Sequence, residues 1–119
     1  MVRLLFLTIL LLPRLSLANG CTEEAGHGLA SWYGDGFHGR LTSNEDVFDP
    51  TLLTAAHQTL PFGTIVKVLN LRNGKTVTVK INDRGGFGGK RIIDLSKAAA
   101  SEIGILRDGV APVSLYVCH

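Results

Sequence analysis

The chain has 119 residues, 12 of them basic and 10 acidic, with 45% hydrophobic residues and two cysteines. That length supports one domain with one core. The near balance of charge excludes the basic surface that a nucleic-acid partner requires.

The N-terminus reads "MVRLLFLTILLLPRLSLANGC". Arg3 precedes an apolar run from Leu4 to Leu12, Pro13 ends it, and Ser16-Leu17-Ala18 follows as a small-x-small cleavage signal. A membrane-spanning helix needs about 20 residues, so this run predicts a secretory signal peptide over 1–18 and an exported domain over 19–119. The leader holds two of the twelve basic residues, Arg3 and Arg14, so the remainder is balanced at ten against ten. Cys21 and Cys118 stand at opposite ends of that remainder. In an oxidising compartment they predict a disulfide that ties the termini together. The alternative is lipidation of Cys21 after cleavage behind Gly20, which would put the protein on a membrane. A good lipobox has leucine where Ala18 stands and a small residue where Asn19 stands.

Six short segments read as strands: "LASWY", "LTAAH", "TIVKVLNL", "KTVTVKIN", "RIIDL" and "VSLYV". In the fourth, Val77, Val79 and Ile81 share one face and Thr76, Thr78 and Lys80 the other. Asn73-Gly74 between the third and fourth is a two-residue hairpin signal. Ser96 as N-cap, "KAAASEI" and Gly104 as terminator predict one short helix near 96–104. The pattern is all-β, a small barrel or a sandwich, and periodicity does not choose between them.

Chemistry concentrates in two loops. "RLTSNEDVFDP" packs Glu45, Asp46 and Asp49 into five positions, and "NDRGGFGGK" carries four glycines directly after a strand. The second matches no phosphate-loop pattern, but Asp83 and Arg84 sit at a strand end, where functional groups are often mounted. His27, His38, His57 and His119 show no metal-ligand spacing, and no nucleophile elbow is present, so neither a metal nor a cofactor is expected.

Taken together, "GLASWYGDGFHGRLTSNEDVFD", "LTAAHQTLPFGTIVKVLNLRNGK", "VKINDRGGF" and "RIIDLSKAAASEIG" resemble successive blocks of the RlpA (rare lipoprotein A) family, from about Gly28 to Val117. The resemblance implies a six-stranded double-psi β-barrel, shared with expansins and barwin-like proteins. It implies a lytic transglycosylase that cleaves between N-acetylmuramic acid and N-acetylglucosamine in peptidoglycan and leaves a 1,6-anhydromuramic end. One carboxylic acid protonates the departing glycosidic oxygen and then accepts the proton of the attacking 6-hydroxyl. The family turn T-A-N-G-E-x-[FY]-D falls on Thr42 to Asp49, which puts Asp46 where the glutamate stands and Glu45 where the glycine stands. His57 and Asp83 match the family's histidine and aspartate, and Gly86 replaces its usual proline. The implied catalytic set is Asp46, His57 and Asp83, with Glu45 as the alternative acid. Tyr33, Phe37, Arg84 and Phe87 are candidate substrate contacts, and Trp32 reads more readily as core. The alternative function is a non-catalytic glycan-binding or wall-loosening module on the same barrel. The expected partner is a glycan strand, the expected location the periplasm or cell envelope, and the expected state a monomer.

Overall fold

The computed structural model describes residues 20–119, so the predicted signal peptide lies outside the described residues. The six strands are β1 (Cys21–Trp32), β2 (Thr54–His57), β3 (Ile65–Asn70), β4 (Thr76–Asp83), β5 (Arg91–Leu95) and β6 (Val110–Cys118). They close into a barrel in the order β1-β5-β2-β4-β3-β6. Two pairings, β1–β5 and β2–β4, are parallel and the other four antiparallel. A closed sheet buries one face of every strand and leaves no unpaired edge. That is why Val77, Val79 and Ile81 are buried while Thr76, Thr78 and Lys80 are exposed.

A short helix, α1 (Lys97–Glu102), turns its Ala99 and Ala100 into the core. Ser96 caps it by accepting from the Ala99 amide. Gly104, at φ 73, ends it while Ile105 N donates to Ala100 O and Gly104 N to Ser101 O, the paired bonds of a Schellman motif.

Two sequence expectations are revised. The β3–β4 connection is not a two-residue turn, because Asn70 N donates to Lys75 O across four intervening residues and only Gly74 takes a positive φ. The Asn73 side chain instead accepts from Lys75 N and donates to Ile103 O, which fastens the hairpin tip to the end of α1. Strand β1 also begins eight residues before the predicted Leu29. Its first eight residues, "CTEEAGHG", have no alternation to read; they pair with β6 through two register shifts. Cys21 and Cys118 face each other there as a disulfide.

Candidate active site

The acid-rich turn is the tip of a small hairpin laid over the end of β4. Leu41 bridges Val47, Phe48 N donates to Arg40 O at 2.7 Å, and Gly39 N donates to Phe48 O at 2.9 Å. Within the tip, Thr42 N donates to Asp46 O, and Asn44 Oδ1 accepts from both Thr42 Oγ1 and Asp46 N. Phe48, 3% exposed, fastens the hairpin from below by stacking on Tyr33 with ring centroids 4.6 Å apart. Glu45 is the only non-glycine residue among the described ones with a positive φ, at 71°. The turn therefore keeps a backbone suited to glycine and forces a glutamate into it, at a cost of about 1–2 kcal/mol.

Asp83 ties this hairpin to the barrel. Its carboxylate accepts from Ser43 N at 2.9 Å, Ser43 Oγ at 2.6 Å, Tyr33 Oη at 2.7 Å and Arg84 N at 2.8 Å. Partial burial opposes its ionisation, but the bonds from Ser43, Tyr33 and Arg84 outweigh that and hold its pKa below the usual carboxylate value. A carboxylate held in this way is a poor proton donor and a good anchor. Tyr33 is pushed far above its ordinary pKa, first by burial and then by the bond to Asp83 and its charge, so its hydroxyl stays a donor.

The acids of the turn are not equivalent. Asp49 accepts from the Thr51 hydroxyl and amide, and those bonds lower its pKa; it is a turn-forming acid. Asp46 is exposed and takes only the Asn44 side-chain amide on its carboxylate, at 3.0 Å.

His57 has one committed nitrogen. Its Nδ1 accepts from Thr59 N and Leu60 N, each at 3.1 Å. The proton of the neutral ring must then sit on Nε2, which has no hydrogen-bond partner among the described residues. Burial, and then the Arg84 charge, lower its pKa, so the imidazole is neutral at pH 7 and can offer a ligand only a donor.

The expected site residues divide between two cavities. Tyr33, Phe37, Asp83 and Arg84 line a cavity of about 300 Å³ at the barrel mouth, together with half-buried Trp32. Asp46 lines another, of about 340 Å³, on the outer wall of β4. Ser43, bonded to Asp83, stands between the two. His57 and Phe87 line neither; Phe87 is 65% exposed. Arg84 donates through Nη1 to His57 O and Leu60 O and lies 4.1 Å over the Phe62 ring, so its guanidinium braces the loop after β2. Among the described residues no cluster of His, Cys, Asp or Glu is arranged to hold a metal ion.

Sequence reading missed Asp94, which also lines the first cavity. It accepts from Arg91 Nη1 at 3.0 Å, from the Ser31 hydroxyl and from Gly86 N at 3.0 Å. A Cβ on Gly85 would come within 2.7 Å of Asp94 Oδ2, and one on Gly86 within 2.8 Å of the Ile92 carbonyl carbon. The paired glycines exist so that this loop can reach Asp94. Asp94 itself stands in an ordinary strand pattern, where nothing local marks it.

Comparison with known proteins agrees with this architecture. The described barrel resembles Streptomyces papain inhibitor, with a TM-score of 0.63 at 22% identity over 82% of this chain and 99% of that one. It also resembles a Clavibacter michiganensis expansin in complex with cellohexaose, with a TM-score of 0.62 at 20% identity over 78% and 50% of the two chains. At such identities the likeness establishes the double-psi β-barrel and nothing more. In sequence, the chain is 57% identical over 94 residues to the endolytic peptidoglycan transglycosylase RlpA of Campylobacter jejuni, covering 79% of this chain and 34% of that protein. It is 64% identical over 90 residues to the probable RlpA of Synechocystis, covering 76% and 28%. The chain thus spans about a third of the length of these relatives. The lytic transglycolase family profile matches residues 25–115. This chain therefore belongs to the lytic transglycolase family and carries an RlpA-like domain.

Proposed function

We propose that this domain is a lytic transglycosylase acting on peptidoglycan glycan strands, with Asp46 as its general acid and base. The observation that carries this reading is the hairpin that presents Asp46 to solvent and is clamped to the barrel by Asp83. Asp46 as the carboxylic acid protonates the glycosidic oxygen leaving N-acetylmuramic acid, and the C1–O bond breaks. As carboxylate it takes the proton of the muramyl 6-hydroxyl while that oxygen bonds to C1 and closes the 1,6-anhydro ring. The other ionisable groups fit supporting roles. Asp83 is held as an anchor, Asp49 is tied to Thr51, and His57 has no acceptor nitrogen free. The names of the RlpA relatives, endolytic peptidoglycan transglycosylases, support the same chemistry.

The test is product analysis of purified glycan strands by mass spectrometry. Anhydromuramic ends are expected from the wild type and none from Asp46→Asn, whose amide cannot donate and then accept the proton. Asp46→Glu is expected to be faster, since it extends the carboxyl by one methylene, and misplacement of about 1 Å can cost on the order of 100-fold. Product from Asp46→Asn but not from Glu45→Gln would move the acid to Glu45.

The protein acts in the cell envelope on this reading, exported by its leading segment and acting as a monomer. The disulfide supports export, since such bonds persist in oxidising compartments. A Cys21 sulfur joined to Cys118 cannot also carry a thioether lipid.

A further inference from the structure

The outer-wall cavity holds a feature that the mechanism above does not use. Asn82 is 5% exposed, yet its side-chain amide makes no hydrogen bond to any described residue. No fully enclosed side-chain nitrogen or oxygen lacks a partner among the described residues, so the amide of Asn82 opens into the cavity that it lines. A nearly buried carboxamide that faces a cavity rather than a protein partner has its hydrogen-bonding capacity free for a ligand. Its burial arises because the 39–48 hairpin covers the outer face of β4, with Asn44 N donating to the Asn82 carbonyl.

The walls restrict what that amide can receive. Val47, Leu52 and Leu53 present apolar surface, each more than 40% exposed, and the carboxylates of Asp46 and Asp49 outnumber the one ammonium, that of Lys80, so a neutral ligand suits the cavity better than an anion. The Asn82 amide can donate to the carbonyl of an acetamido group, and the methyl group beside that carbonyl then meets the apolar wall, whereas a sugar hydroxyl or a carboxylate brings no such methyl. At about 340 Å³ the cavity is at the small end for a ligand site, the scale of one sugar ring and its substituent.

We propose that Asn82 forms an acetamido-recognition subsite. The carbonyl of a 2-acetamido sugar accepts from the Asn82 side-chain amide, and the adjoining methyl group packs on Val47, Leu52 and Leu53. The inference rests on the glycan-cleaving reading and adds to it the substituent that the site recognises. With Asp46 on the same wall, this subsite places an N-acetylated ring beside the acid and selects aminoglycans over plain glucans.

Binding, measured separately from cleavage, tests it. The purified protein is titrated with chitohexaose and with cellohexaose, six-sugar strands that differ at the acetamido position, while the Asn82 side-chain amide signals are followed by NMR. Chitohexaose is expected to shift those signals and to bind about tenfold tighter, the value of roughly one neutral hydrogen bond together with the burial of one methyl group. Asn82→Ala and the isosteric Asn82→Asp are both expected to lose that preference, and exposed Leu52→Ala to reduce it. Should Asn82→Ala fail to fold, the other two variants decide. Equal affinity for the two strands, or a preference that survives Asn82→Asp, overturns the inference. So does an alanyl peptide amide that competes with chitohexaose and shifts the same signals, since the pocket would then read peptide. Wild-type protein that prefers chitohexaose through Asn82 yet releases no anhydromuramic product would sink the catalytic reading and leave the subsite standing.

Discussion

The hydroxyl of Tyr33 donates to Asp83 Oδ2 at 2.7 Å and joins the chain just past β1 to the end of β4 across the barrel mouth. The same tyrosine stacks on Phe48 and meets Phe37 edge-on at 5.3 Å. One side chain thus sets the anchor carboxylate, the hairpin that carries Asp46 and an aromatic wall of the first cavity.

Tyr33→Phe keeps both ring contacts and removes one of the four donors to Asp83. A hydrogen bond to a charged group is worth about 1.5–3 kcal/mol, and the partial solvent access of Asp83 reduces this to about 1 kcal/mol. The folded pKa of Asp83 lies below its unfolded value. The wild-type advantage is therefore complete above the unfolded pKa of about 3.9 and disappears as pH falls through the folded pKa. Urea unfolding followed in steps from pH 7 downward, with the Asp83 carboxyl titration read by NMR in the same samples, checks this. A penalty that stays the same size after the Asp83 carboxyl has protonated would mean that packing, not the bond to Asp83, sets the effect.

Glu45→Gly removes a side chain from a residue at φ 71. Release of about 1–2 kcal/mol of left-handed strain outweighs the extra unfolded-state entropy of glycine, about 0.5–1 kcal/mol. The variant is expected to be more stable by about 0.5–1 kcal/mol in urea titration, with product formation retained. Loss of product would implicate the Glu45 carboxylate directly.

His57 has a folded pKa below its unfolded value, so its contribution to stability is full above about pH 6.5 and declines as pH falls below that point. Protonation would place a hydrogen on Nδ1, where the Thr59 and Leu60 amides already point. Because the ring is half exposed, the decline is expected to stay below about 1 kcal/mol. Nitrogen-15 spectra of the imidazole at pH 7.5 should show the Nε2–H tautomer. An Nδ1–H signal would contradict the donor role assigned to this residue.

Gly86→Pro would restore the residue usual for the family and is nevertheless expected to harm this chain. Gly86 sits at φ 78 and donates its amide to Asp94 Oδ2, while proline is confined near φ −65° and has no N–H. A loss of about 2–3 kcal/mol in urea unfolding is expected. Unchanged stability would show that the loop after β4 can settle into a second conformation without the Asp94 bond.

The alternation of Val77, Val79 and Ile81, the Ser96 cap and the Gly104 terminator determined the all-β pattern and its one helix, because these signals act within a few residues of chain. The family blocks located Asp46, His57 and Asp83 by motif. Only the tertiary structure decided what each group can do. Asp83 became an anchor because Tyr33, 50 positions away, and Ser43, 40 positions away, converge on it. His57 became a donor because its own loop folds back onto Nδ1. Asp46 and Asp83 line separate cavities because the hairpin crosses the end of β4 at Ser43. Asn82 and Asp94 carried no local mark at all, since the burial of one and the partners of the other arise when distant strands close the barrel. Local propensity is written along the chain, but hydrogen-bond partners and solvent access are properties of closure, and they decide the chemistry.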